Sequence, residues 1–263
     1  MLNKPPPEGG VTQGLEEIKA RIESACHRSK RSVSEIRLIA VAKGQPVEKI
    51  AEAIRAGVTD IGENYVQEML EHREAIGKSG WLGSGARPRA TGEHGWAEPE
   101  TGPALIHWHF IGHLQKNKVR KIIDDVELIH AVDSPSLVQE IHNQAKKVGK
   151  EQSILLEINL GQEESKSGFP YSDELFDLIP QINELDSVLL RGLMVIPPFD
   201  EDPEKTRPFF RHLREIRDKI NSRKLYKNQL TELSMGMTHD FEVAIQEGAT
   251  MVRIGTGIFG PRL

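Results

Sequence analysis

Short apolar runs alternate along this chain with segments spaced like one face of a helix, and that rhythm limits its architecture more than any other feature. The runs occupy residues 36–42, 58–61, 106–111, 127–132, 153–160, 188–195, 230–234 and 250–254. Between them, Val47, Ile50, Ala51 and Ile54 fall at i, i+3, i+4 and i+7, as do Leu175, Leu178, Ile179 and Ile182. Leu137, Ile141, Ala145 and Val148 form a third stripe, opened by Ser134-Pro135 and closed by Gly149. The runs are rich in β-branched residues and mostly lack polar alternation, the pattern of strands buried on both faces in a parallel sheet. Eight β/α units in about 250 residues predict an α/β fold of the (β/α)8 TIM-barrel type rather than an open doubly wound sheet. An extra N-terminal helix, marked by Leu15, Ile18, Ile22 and Ala25, precedes the first unit.

The expected organisation is a flexible tail over residues 1–14, with Pro5-Pro6-Pro7, and a single barrel domain over 15–263. Residues 77–104 break the rhythm. Connections in such folds usually run about 2–6 residues, and this segment reads as a flexible surface insertion, with a lid as the alternative. The net charge of −5 argues against a nucleic-acid partner, which would need clustered Lys and Arg. No apolar stretch is long enough for a membrane span, and the proline-rich start has no secretory core. Cys26 is the single cysteine, so an internal disulfide and a thiolate zinc cage are excluded. A cytoplasmic protein is expected.

In a barrel the chemistry gathers where strands end. Lys43 ends the first run and is either a lysine snorkelling at a strand end or an amine poised to capture a carbonyl. The seventh run ends at Ser234 and is followed by Met235 and Gly236, and after the eighth come Gly255 and Thr256, preceded by Arg253. Hydroxyls and glycines at the last two strand ends suit a phosphate site, or simply two turns. Gly255, Gly257 and Gly260 match a dinucleotide fingerprint by chance, because no helix and acidic residue follow at the needed distance. His107, His109 and His113 lack neighbouring carboxylates or thiolates at ligand spacing, so one histidine lining the mouth is favoured over a metal site. Asn64 is either a helix cap or a pocket amide.

Several blocks of the sequence resemble the pyridoxal phosphate homeostasis proteins, single-domain relatives of the N-terminal barrel of alanine racemase. They are residues 38–43, Ile61-Gly62-Glu63-Asn64-Tyr65-Val66-Gln67-Glu68, residues 108–118, Ser165-Lys166-Ser167-Gly168-Phe169, Arg191-Gly192-Leu193-Met194, residues 233–237 and Arg253-Ile254-Gly255-Thr256. The resemblance implies that Lys43 holds pyridoxal 5′-phosphate as an internal aldimine. It implies that Ser234, Gly255 and Thr256, with backbone N–H groups at Met235 and Gly236, bind the phosphate. Arg253 would face the pyridine nitrogen, and Asn64 and His109 would line the pocket. The sequence departs from the family pattern at Ala42-Lys43-Gly44 and at Thr238-His239-Asp240.

An arginine at the ring nitrogen disfavours a pyridinium and weakens carbanion stabilisation. The chain also ends soon after its eighth run, so the second-domain tyrosine of a racemase is expected to be missing. A cofactor carrier without catalytic turnover follows, expected to be a monomer, with PLP-dependent apoenzymes as candidate recipients. A PLP-dependent amino-acid enzyme, or a phosphate-ligand barrel without a cofactor, would be the alternatives.

Overall fold

A run that is apolar on both faces needs a core on each side, and each of the eight runs becomes a strand with one. The computed structural model describes residues 10–78, 105–161 and 167–261. In chain order the strands are β1 (Arg37–Val41), β2 (Asp60–Glu63), β3 (His107–Phe110), β4 (Val126–Val132), β5 (Gln152–Asn159), the two-residue β6 (Phe169–Pro170), β7 (Val188–Met194), β8 (Glu232–Met237) and β9 (Met251–Ile254). They pair in the order β4-β3-β2-β1-β9-β8-β7-β5, and a β4–β5 pairing closes the ring. All pairings are parallel, and β6 only extends the end of β5, with Phe169 opposite Ile158. This is the closed (β/α)8 barrel that the alternation predicts.

The helices described are α1 (Gly10–Ser29), α2 (Val47–Arg55), α3 (Val66–Lys78), the single turn α4 (Val119–Ile122), α5 (Pro135–Lys147), α6 (Asp173–Ile182), α7 (Arg207–Ser222), α8 (Phe241–Gln246) and the short α9 (Thr256–Phe259). The extra helix α1 buries Leu15, Ile18, Ile22 and Ala25 and packs against α2, α8 and α9. It begins at Gly10, inside the segment expected as a tail, and α3 runs to Lys78, two residues into the expected insertion. Residues 1–9 and 79–104 lie outside the described residues, and with them the lid question. Ser134 takes the N-cap position of α5 with Pro135 in its first turn but makes no side-chain capping bond, its hydroxyl lying 3.4 Å from that of Ser136, and Gly149 takes φ +67° just beyond the helix end.

Successive strand residues serve two compartments. Ala40, Ile61, Trp108, Phe110, Ile129, Ile154, Leu193, Leu233, Met235, Val252 and Ile254 join the large core between sheet and helices. A separate, smaller apolar cluster is formed by Ile39, Leu128, Ala131, Leu155, Met194 and Met251, drawn from five strands and set inside the ring. Other inward positions hold polar residues, Asp60, His109, His130, Ser234 and Arg253, which belong to the site described below.

One outer contact yields a direct stability prediction. The Leu190 N–H donates to the buried Tyr226 hydroxyl at 3.0 Å. In Tyr226→Phe that N–H is left without its partner, and urea unfolding should show a loss of about 1–2 kcal/mol.

Candidate functional site

The strand ends of β1, β2, β8 and β9 are neighbours in the ring, which brings Lys43, Asn64, Ser234–Gly236 and Arg253–Thr256 to one mouth. Lys43 stands two residues beyond β1 in a tight turn. The turn is held by Ala42 N–H to the Gly62 carbonyl (2.9 Å), Gln45 N–H to the Ala42 carbonyl (2.9 Å) and Gly44 N–H to Glu68 Oε2 (2.9 Å). Its ammonium lies 4.8 Å from the centre of the exposed Tyr65 ring. Asn64 follows β2 directly. The first α3 hydrogen bond runs from Met69 N–H to the Tyr65 carbonyl, so Tyr65 rather than Asn64 opens that helix. The Asn64 backbone instead packs on Gly112, where a Cβ would stand 2.4 Å from the Asn64 carbonyl oxygen.

The seventh run was expected to end at Ser234, but β8 continues to Met237. Ser234 pairs with Met251 and Met237 with Arg253, so two residues, Met235 and Gly236, oppose the single Val252. This is a β-bulge, a device that re-aims backbone groups beside sites. Gly236 supplies the left-handed conformation it needs, at φ +92°. Beyond the bulge, Met237 N–H donates to Asp240 Oδ1 at 2.7 Å, and Gly257 N–H donates to Thr238 Oγ1 at 3.3 Å. The second bond ties the loop after β8 to the loop after β9. Gly255 is half-buried and Thr256 exposed at this rim.

Arg253 lies on the floor of the mouth and is buried. Its guanidinium donates to Ser234 Oγ at 2.6 Å and to the Val195 carbonyl at 3.0 Å. No carboxylate of the described residues forms an ion pair with it. Burial pushes its pKa down to about 10, against the partly offsetting charges of Asp240 and Glu157. It remains a cation at neutral pH. Burial raises both of those carboxyls above their ordinary values. A hydrogen bond from Ser167 opposes the rise at Glu157, and one from Met237 N–H opposes it at Asp240.

The three neighbouring histidines part company although His107 and His109 share a face of β3: His107 opens the strand, His109 lies two residues further in, and His113 lies beyond it. His113 is exposed and pairs with Asp133 at 2.8 Å, and His107 sits 3.9 Å from Glu127. His109 is buried inside the ring, with Nε2 2.9 Å from Asp60 Oδ1 and Nδ1 3.0 Å from His130 Nε2. His130 Nδ1 in turn lies 2.8 Å from Ser234 Oγ. No group of three or more metal-ligating side chains converges among the described residues. Asp60 and His130 were missed in the sequence because each sits within an apolar run and finds its partner on another strand.

The donor set fits a phosphorylated aldehyde. An amine stands at one strand end, and a bulged strand and a hydroxyl-bearing rim stand at two others. Between them is a buried guanidinium that uses two of its five donors within the protein.

Comparison with known proteins agrees with this architecture. Residues 14–262 match the family model for the alanine racemase N-terminal domain. A pyridoxal phosphate homeostasis protein of Aquifex aeolicus is 41% identical over 248 residues, covering 94% of this chain and 96% of that one. A crystal structure of an unknown protein from Bifidobacterium adolescentis superposes with a TM-score of 0.82 at 36% identity, covering 95% of this chain and 94% of the other. The structure of PipY from Synechococcus elongatus with PLP bound gives a TM-score of 0.72 at 32% identity, over 92% of this chain and 100% of that one. From residues 14 to 262, then, the chain belongs to the alanine racemase N-terminal domain family, within the branch of the pyridoxal phosphate homeostasis proteins.

Proposed function

We propose that this chain binds pyridoxal 5′-phosphate in the barrel mouth, covalently through Lys43 Nζ, and acts as a carrier in cofactor homeostasis with little or no turnover. The buried Arg253 on the floor of the mouth, a cation with no carboxylate ion pair among the described residues, is the observation that carries the reading. The relative that binds the same cofactor at 32% identity supports it.

When bound, the cofactor would supply an aldehyde and an electron-withdrawing ring. Lys43, set at the turn after β1, meets the aldehyde. Arg253 keeps its own proton and leaves a facing ring nitrogen without one, which limits carbanion chemistry. Backbone N–H groups at the Met235–Gly236 bulge, with Ser234, Gly255 and Thr256, hold the phosphate. Asn64 borders the pocket, and His109 supports its floor through His130. Delivery to PLP-dependent apoenzymes is the role that a reversible covalent hold would serve.

Tyr65 beside Lys43 favours a second reading, an enzyme that exchanges protons on amino acids. Titration with pyridoxal 5′-phosphate, followed by D- and L-alanine, separates the two. The expected result is saturable binding with an absorption band and no measurable interconversion of the enantiomers. Robust racemisation would replace the carrier reading with the enzymatic one, and no binding would end both.

A further inference from the structure

Beneath the proposed anion cup, Arg253 and Ser234 continue into a line of buried polar groups whose protons the binding reading does not consider. It runs Asp60–His109–His130–Ser234–Arg253, with successive distances of 2.9, 3.0, 2.8 and 2.6 Å. All five residues are buried. They come from β2, β3, β4, β8 and β9, so the line crosses the ring from wall to wall.

Each bond has one donor, which gives the line a polarity. An ionised carboxylate only accepts, so His109 Nε2 carries hydrogen. With both rings neutral, His109 Nδ1 accepts from His130 Nε2–H, and His130 Nδ1 accepts from the Ser234 hydroxyl. Arg253 donates to the same oxygen. In that state Ser234 has no hydrogen to offer an anion. One added proton reverses the line. His109 then carries hydrogen on both nitrogens, His130 accepts at Nε2 and donates from Nδ1, and Ser234 accepts from both His130 and Arg253. Its own O–H is released toward the mouth.

We propose that Asp60, His109 and His130 are positioning residues that take up one proton as a phosphate-bearing ligand binds, converting Ser234 into a donor to that ligand. This inference rests on the reading of the mouth as a phosphate site. The proton balance closes within the line. The Ser234 O–H proton passes to His130 Nδ1, and the His130 Nε2–H proton passes to His109 Nδ1. A proton from solvent, or from an acidic P–O–H of the ligand, forms the new Ser234 O–H bond.

His109 stands between the Asp60 carboxylate and His130 Nε2, so in the reversed line both of its nitrogens find acceptors. Burial, with the charges of His109, Arg253 and Arg37, holds His130 well below the usual imidazole range. Burial would raise Asp60, yet the hydrogen bond and charge of His109, with Thr59 and Arg37, hold it below its ordinary value. The other titratable groups around the line are His107 on β3 and Glu127 on β4, which pair with one another, then Glu157 on β5 and Asp240 after β8, which face Arg253.

Calorimetric titration of the full chain with methyl phosphate, a dianion at about pH 8, in buffers of differing ionisation enthalpy counts the protons exchanged. The expected uptake is about one proton per ligand, with the dissociation constant rising about tenfold per pH unit above the apparent pKa of the line. In Asp60→Asn and His130→Gln, checked for folding by thermal melts, the uptake falls towards zero and the pH slope flattens. Wild-type binding without proton uptake, or unchanged uptake in both variants, would overturn the proposal. Failure of methyl phosphate to bind at all would overturn the cup and the linkage together. Nitrogen-15 NMR of the imidazoles in ligand-free protein tests the polarity independently of the cup. It should show both rings as Nε2–H tautomers at high pH, and His130 as the Nδ1–H tautomer once the line is protonated. Any other tautomer pair sinks the relay even if the cup stands.

Discussion

Lys43→Ala should abolish the absorption band that pyridoxal 5′-phosphate develops on the protein and weaken its retention about a hundredfold, ~2.7 kcal/mol. The loss is expected to be large because the amine supplies the covalent hold, while the floor and the bulge supply only reversible contacts. Those contacts persist in the variant, so weak, colourless binding should remain and should compete with methyl phosphate. Borohydride treatment of the loaded wild type, followed by digestion, should leave the added mass on the peptide that contains Lys43. Lys43→Arg keeps a positive charge beside Tyr65 but has no amine that can condense. It should therefore behave like the alanine variant in colour. An adduct found mainly on another lysine, or a coloured Lys43→Ala protein, would sink the assignment.

Gly236→Ala should produce the largest loss of stability among the site substitutions. A Cβ there would lie 2.6 Å from the Ala244 Cβ and 2.8 Å from the Phe241 Cα, at a φ of +92° that side chains rarely adopt. The neighbours belong to α8 and cannot yield without moving a packed helix. A cost of about 3 kcal/mol is expected, which for a domain of this size lowers Tm by roughly 6–12 °C. Gly149→Ala is the matched comparison: φ is +67°, but nothing lies within 4 Å of the added Cβ. It should cost only about 1 kcal/mol, the conformational part alone. If the two variants melt together, crowding at the bulge is not what holds Gly236 in place. The alanine at 236 should also shift the Met235 and Gly236 amides, so phosphate affinity falls even below the melting range.

The barrel was legible because burial on both faces leaves apolar runs that need no knowledge of their partners. Helix α7 shows where that signal thins. Its buried positions are Phe210, Leu213, Ile216 and Ile220, set among Arg207, Arg211, Arg214 and Arg217, and the stripe is too narrow to stand out from its charges. Lys43 and the glycine turn after β9 were locatable because the ends of those two strands can be read from the runs alone. The bulge was not, since Met235-Gly236-Met237 reads equally well as a turn, and only pairing against β9 shows two residues opposite one. The polar line through the ring was hidden for a different reason. His130 meets Ser234 across 104 positions of sequence and His109 meets Asp60 across 49, while the three histidines that lie close in sequence take separate partners, Glu127, Asp60 and Asp133.

Because inward and outward residues alternate along each strand, neighbouring positions answer to different demands. Trp108 and Phe110 join the core against the helices, whereas His109 between them hydrogen-bonds into the interior line. Val252 and Ile254 flank Arg253 in the same way. A lineage could therefore exchange the lumenal members one at a time, altering proton affinity or ring electronics, while the hull that seats the helices stays as it was. Tuning of chemistry and upkeep of architecture are thus separable at single-residue resolution in this barrel.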